Sequence, residues 1–261
     1  VNIVNLVTEH NGFEAVSLGI LLNCDLGESF GAWKMGADQR AMIFVDQVNI
    51  ACGFHAGDPN TMKNTLLAAK EAGVSIGAHP SYPDLVGFGR RSMKVEIPEL
   101  MSLLQYQIAA LCGMAKNVGL RVEYVKPHGA LYNDMMASVS VRSAVMRAIS
   151  EINEPLALML QATPSSQIHA KEAENFGIKI ICEAFADRSY EDCGALVSRS
   201  KMEAILDRKH ILTQVRQICQ RRSITSINKK ILHLKIDSIC IHGDNPESVT
   251  LLPEIRHILN Q

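Results

Sequence analysis

Six short stretches bring together side chains able to move protons or hold anions: NCDLGES at 23–29, ACGFHAGD at 51–58, GAHP at 77–80, KPHGALYN at 126–133, FADR at 185–188 and IHGDNP at 241–246. Four of the nine histidines, His55, His79, His128 and His242, fall within them, with Asp25, Glu28, Asp58, Lys126, Asp187, Arg188 and Asp244 alongside. One histidine in a loop is ordinarily a structural imidazole satisfied by a hydrogen bond. Four in equivalent places, among so many charged neighbours, predict a polar pocket in which perturbed acids and bases arise. The stretch GFGRRS at 87–92 lacks the third glycine of a dinucleotide fingerprint, and the sequence contains no Walker A loop. Arg90 and Arg91 in that stretch are candidates to hold a phosphate or carboxylate, the alternative being a solvated loop.

The elements that must position these residues are legible as alternation. Short apolar runs at 19–24, 47–51, 74–78, 121–126, 156–160, 178–182 and 238–241 read as buried parallel strands. Longer amphipathic stretches separate them, which is the pattern of repeated strand–helix units. Asp58-Pro59 predicts a capped helix start, with Met62, Leu66 and Ala69 on one face and Gly73 as its stop. After Pro98, Leu100, Leu104, Ile108, Leu111 and Ala115 recur at helical spacing up to Gly119. Pro253 in the last helix predicts either a kink or a late start. Residues 183–237 are too long for one crossover; they predict an insertion with a helix near 209–220 and a hairpin around Asn228-Lys229.

Each polar stretch follows a predicted strand, so the expected fold is an α/β, TIM-like (β/α) barrel with its site at the C-terminal face of the strands. Residues 19–261 are expected to form that one barrel, and residues 1–18 an extension outside it. A net charge of −1 offers no footprint for nucleic acid or an anionic membrane surface. No apolar run reaches the roughly 20 residues that span a bilayer. Seven cysteines without a CxxC pair speak against a disulfide framework and a thiolate zinc site, and predict a reducing, cytoplasmic setting.

Taken in order, NCDLGESFGAWKMG (23–36), NIACGFHAGDP (49–59), GAHPSYPD with GFGRR (77–91), VKPHGALYN (125–133), FADRSY (185–190), LVSRS (196–200) and IHGDNP (241–246) resemble the lactam-utilisation (LamB/YcsF) family. The resemblance runs from about Leu22 to about Leu259. It implies a distorted seven-stranded barrel related to the polysaccharide-deacetylase type. It also implies a reaction, the opening of 5-oxo-L-proline to L-glutamate with ATP as co-substrate, carried out as the A component of a 5-oxoprolinase together with subunits B and C. Against the family pattern, Leu21 stands where an acidic residue is usual, Cys193 replaces Asp or Asn, and 161–166 lacks the usual glycine turn. Loss of the acid at position 21 is expected to remove one charge from the rim of the site.

For that reaction Asp25 or His55 is the candidate base that activates water, with His128 and His242 as candidate acids. Lys126 and Arg188 are candidates to neutralise developing charge or hold a carboxylate, and Glu28, His79, Asp187, His242 and Asp244 to contact the substrate. No metal is required by this scheme. A competing reading, a metal-dependent amide hydrolase or deacetylase, would use Asp25, His55 and His79 as ligands with an open position. A non-catalytic, lactam-binding role is a further alternative.

Overall fold

The computed structural model describes residues 19–36, 38–243 and 249–261. The extension expected at 1–18 and Asp244 lie outside the described residues. Seven parallel strands close into a barrel: β1 (Leu21–Leu26), β2 (Gln47–Ala51), β3 (Ser75–His79), β4 (Val122–Val125), β5 (Ala157–Gln161), β6 (Ile180–Phe185) and β9 (Ser238–Ile241), which returns to β1. A two-stranded antiparallel ribbon, β7 (Ser223–Thr225) with β8 (Ile231–His233), stands apart from the barrel. It is the hairpin expected around Asn228-Lys229, with Lys229 at φ 68° in the turn.

Among the described residues the main α-helices are α1 (Asp38–Met42), α2 (Pro59–Ala72), α3 (Ile97–Asn117), α4 (Gly129–Ala137), α5 (Val139–Ser150), α6 (Ser166–Glu174), α7 (Arg208–Arg221) and α8 (Leu252–Leu259). The apolar core lies between their inner faces and the outward side chains of the strands: Leu22, Val48, Ile50, Leu158 and Ile239 join Leu66, Leu104, Ile108 and Val215 in one cluster. The other face of the strands is polar. Asn23 donates to the Ser238 hydroxyl, which donates to Gln47, tying β1, β9 and β2 together inside the barrel. The phenol of Tyr124 crosses to the Val48 carbonyl. Gly77 makes that crossing possible, since a Cβ there would sit 2.2 Å from the Tyr124 ring.

Four strands end later than the apolar runs suggest, β3 and β5 by one residue and β1 and β6 by more. β1 runs to Leu26 instead of residue 24 and β6 to Phe185 instead of 182, because the barrel interior accepts Asp25 and Glu183 and the apolar run breaks at the first such residue. In α8, Pro253 falls in the first turn, so the helix starts late and is not kinked.

Helix α2 is held by its cap. The Asp58 carboxylate accepts from Asn60 N and Thr61 N, and also from the Thr61 hydroxyl and Gly31 N. Asp58→Ala is expected to lower stability by about 1 kcal/mol, read as an earlier urea midpoint. The Thr61 hydroxyl, then the Gly31 amide, pull the Asp58 carboxyl from 3.8 down to about 2. Its contribution is therefore present above about pH 4 and is lost as pH falls toward 2, so the gap between wild type and Asp58→Ala should close over that window.

Candidate active site at the C-terminal ends of the strands

Lys126 follows β4 and points across the barrel with 2% of its surface exposed. Its ammonium lies 2.8 Å from Asp25 Oδ1 on β1 and 2.8 Å from Glu183 Oε1 on β6. The first contact is a directed hydrogen bond; the second is an ion pair without hydrogen-bond alignment. Burial opposes charge on Lys126, yet Asp25, Cys240 and Glu183 together raise its pKa well above the usual range. Burial likewise disfavours the Asp25 carboxylate, but the His79 imidazole in its protonated form and the Lys126 ammonium outweigh it and hold Asp25 well below the ordinary value. Asn49 on β2 donates to Asp25 Oδ1, and Tyr132 on α4 donates to Glu183 Oε2.

Beside this ion-pair network stand three imidazoles. His79, the last residue of β3, directs Nδ1 to the Lys126 carbonyl at 2.7 Å and Nε2 toward Asp25 Oδ2 at 3.4 Å. His128 directs Nε2 to the Phe88 carbonyl at 2.9 Å and places Nδ1 2.9 Å from His79 Nε2. His55 stacks on His128, rings parallel and centroids 3.7 Å apart, with Nε2 3.3 Å from Glu28 Oε1. Burial, reinforced by the neighbouring imidazoles, depresses both His55 and His128 well below the usual histidine range. The loop is held closely: Gly129 has φ +58° and a Cβ there would meet the Gly89 carbonyl at 2.5 Å, so His128 stays packed on the Phe88 turn.

The oxygen and nitrogen atoms that Glu28, His55, His79 and His128 could offer to a cation lie within 4.8 Å of one another. That set differs from the Asp25, His55 and His79 expected from the sequence. Asp25 is drawn off by Lys126, while Glu28 and His128 join the cluster.

A cleft of about 650 Å³ opens over these groups, lined by Asp25, His79, Lys126 and His128 at its base and by Arg90, Arg188, Arg199 and His242 farther round. Its size suits a small ligand. The Arg188 guanidinium donates to the Val197 and Ala204 carbonyls; burial, then the like charge of Arg199, lowers its pKa to about 10. His242 Nδ1 lies 2.9 Å from both Asp187 oxygens, and its ring stacks on Phe185 at the end of β6.

Most of the expected site residues thus converge, with three changes. Arg91 does not reach the cleft: its guanidinium pairs with Asp84, and Arg199, not singled out in the sequence, takes its place beside Arg90 and Arg188. Glu28, expected to contact substrate, is engaged with His55 and His128. Leu21 sits at the start of β1, four residues and roughly 13 Å of strand from Asp25, so a different residue there leaves the rim charge unaltered. Cys193, Gln161, Thr163 and Ser165 do line the cleft, so those departures from the family pattern lie where a ligand would feel them. Asn23, Asn49, Tyr132 and Glu183 also belong to the network although none was named as a site residue; the first three lie inside the motifs, and Glu183 is an acid inside an apolar strand.

The LamB/YcsF family profile matches residues 20–261. The chain is 47% identical over 241 residues to the 5-oxoprolinase A subunit of Vibrio campbellii, spanning 92% of this chain and 95% of that protein. It is 47% identical over 243 residues to the 5-oxoprolinase A subunit of Pseudomonas fluorescens, spanning 93% and 97%. The crystal structure of a lactam utilization protein from Thermus thermophilus superposes with a TM-score of 0.85 at 33% identity, covering 94% of this chain and 97% of that one. The match takes in every strand of the barrel and every described residue of the cleft, and the chain belongs to the LamB/YcsF family.

Proposed function

We propose that the chain is the A subunit of an ATP-dependent 5-oxoprolinase and opens the ring of 5-oxo-L-proline to give L-glutamate, working with subunits B and C. The observation that carries this reading is 47% identity over 92% of the chain to a protein of that name. The cleft supports it, because its base presents an ionised, rigidly held carboxylate and its sides present arginines.

A five-membered lactam resists opening because its amine and carboxyl carbon stay tethered, which raises the effective molarity of reclosure. Phosphoryl transfer from ATP to the lactam oxygen makes the ring carbon electrophilic. Water adds there, the ring C–N bond breaks as nitrogen takes a proton, and the resulting acyl phosphate hydrolyses to glutamate and phosphate. The sequence has no Walker A loop, and in this reading subunits B and C supply the phosphoryl donor.

Of the two candidate bases, Asp25 lines the cleft and is the group assigned to orient the attacking water; Lys126 and Asn49 hold its other oxygen. Lys126 is already paired with two carboxylates, so it acts as the fixed charge that keeps Asp25 ionised and in place. Arg90, Arg188 and Arg199 are assigned the carboxylate or phosphoryl oxygens of the substrate. His242, oriented through Nδ1 by Asp187, is assigned delivery of the proton to the ring nitrogen. The experiment that tests the reading reconstitutes the chain with its partner subunits and follows glutamate and phosphate formed from 5-oxoproline and ATP. Glutamate release must depend on the chain.

A further inference from the structure

We propose that Glu28, His79 and His128 form a binding site for one divalent transition-metal ion of the zinc class at the base of the cleft, with His55 positioning Glu28. The inference stands on hydrogen-bond geometry and does not depend on the 5-oxoprolinase reading.

A carbonyl oxygen only accepts, so the contact with the Lys126 carbonyl places a proton on His79 Nδ1, and the contact with the Phe88 carbonyl places one on His128 Nε2. A neutral imidazole carries a single N–H. The remaining nitrogens, His79 Nε2 and His128 Nδ1, therefore present lone pairs to each other at 2.9 Å. More acceptors surround the same point: Glu28 Oε1 is 3.6 Å from His128 Nδ1, and Asp25 Oδ2 is 3.4 Å from His79 Nε2. Facing lone pairs repel unless a cation lies between them. That cation is either an extra proton shared by the imidazoles or a metal ion.

Two features favour the metal. Each imidazole has its far nitrogen fixed by a main-chain carbonyl, the arrangement that orients histidine ligands in metal sites. A carboxylate oxygen also closes on the same point from the loop after β1, giving an imidazole–carboxylate donor set suited to zinc and its neighbours. With metal–nitrogen bonds of about 2.1 Å, the 2.9 Å nitrogen separation subtends about 90° at the ion. That angle suits adjacent positions of a five- or six-coordinate ion, with room for water. His55 is different: its ring lies parallel to His128, so their in-plane lone pairs run side by side and do not meet on one ion. Its Nε2 is within reach of Glu28 Oε1, which it holds by donating a proton.

The test titrates tag-free, chelator-stripped protein with zinc chloride by calorimetry. One ion per chain is expected, with a Kd below about 1 μM. His79→Ala and His128→Asn should each weaken binding by roughly 100-fold or more and His55→Ala by about 10–100-fold. His210→Ala, at an exposed site paired with Asp207, should bind as wild type. Circular dichroism establishes that each variant is folded, and the wild-type stoichiometry decides the matter even if one is not. No heat of binding from wild type at 100-fold higher zinc than about 1 μM would assign the site to a shared proton and overturn the proposal. So would folded His79→Ala and His128→Asn proteins that bind zinc like wild type. A metal-binding chain without oxoprolinase activity would leave this inference standing and remove the functional reading alone.

Discussion

Asp25→Asn in the assembled enzyme is expected to cut glutamate formation by about 10²–10⁴-fold, the range for losing a positioned proton acceptor. The substitution is close to isosteric. The amide oxygen can still accept from Lys126 and Asn49, as Asp25 Oδ1 does, and the NH₂ group would stand beside His79 Nε2. Fold and assembly should therefore survive, with far-UV circular dichroism unchanged, while the charge that orients water is gone. Turnover within about 3-fold of wild type, well short of that range, would remove Asp25 from the chemistry.

Lys126→Met is expected to have the largest effect on stability, about 3–5 kcal/mol, because it strands Asp25 and Glu183 as buried carboxylates without their shared cation. Urea unfolding followed by circular dichroism reads the loss. Adding Glu183→Gln to Lys126→Met should recover part of it, since one of the two stranded charges is then removed. A Lys126→Met protein within about 1 kcal/mol of wild type would show that the interior carboxylates do not rely on this ammonium.

The barrel was legible because buried parallel strands leave continuous apolar runs, and β2 and β9 begin and end where those runs do. The same rule cut β1 and β6 short. Near their ends they carry the inward-facing Asp25 and Glu183, whose charges are tolerated only because Lys126 reaches both from the end of β4, a long-range fact that no local pattern reveals. Four rim histidines were visible in the sequence, but their division was not. His55, His79 and His128 lie at the ends of the adjacent strands β2, β3 and β4 and gather together. His242 follows β9, which pairs with β1 and β6, and so meets Asp187 beyond β6. The arginines show a similar limit: Arg90 and Arg91 look equivalent as neighbours, yet Asp84 takes Arg91, and Arg199 joins the cleft from the insertion after β6.

Whether this chain carries ring opening is decided by measuring glutamate and phosphate side by side in the reconstituted three-component enzyme, with the chain present, omitted, or replaced by Asp25→Asn. Glutamate and phosphate are expected in equal amounts with the wild-type chain, and no glutamate above background when it is omitted. Glutamate formed at the same rate by subunits B and C without the chain would contradict that role.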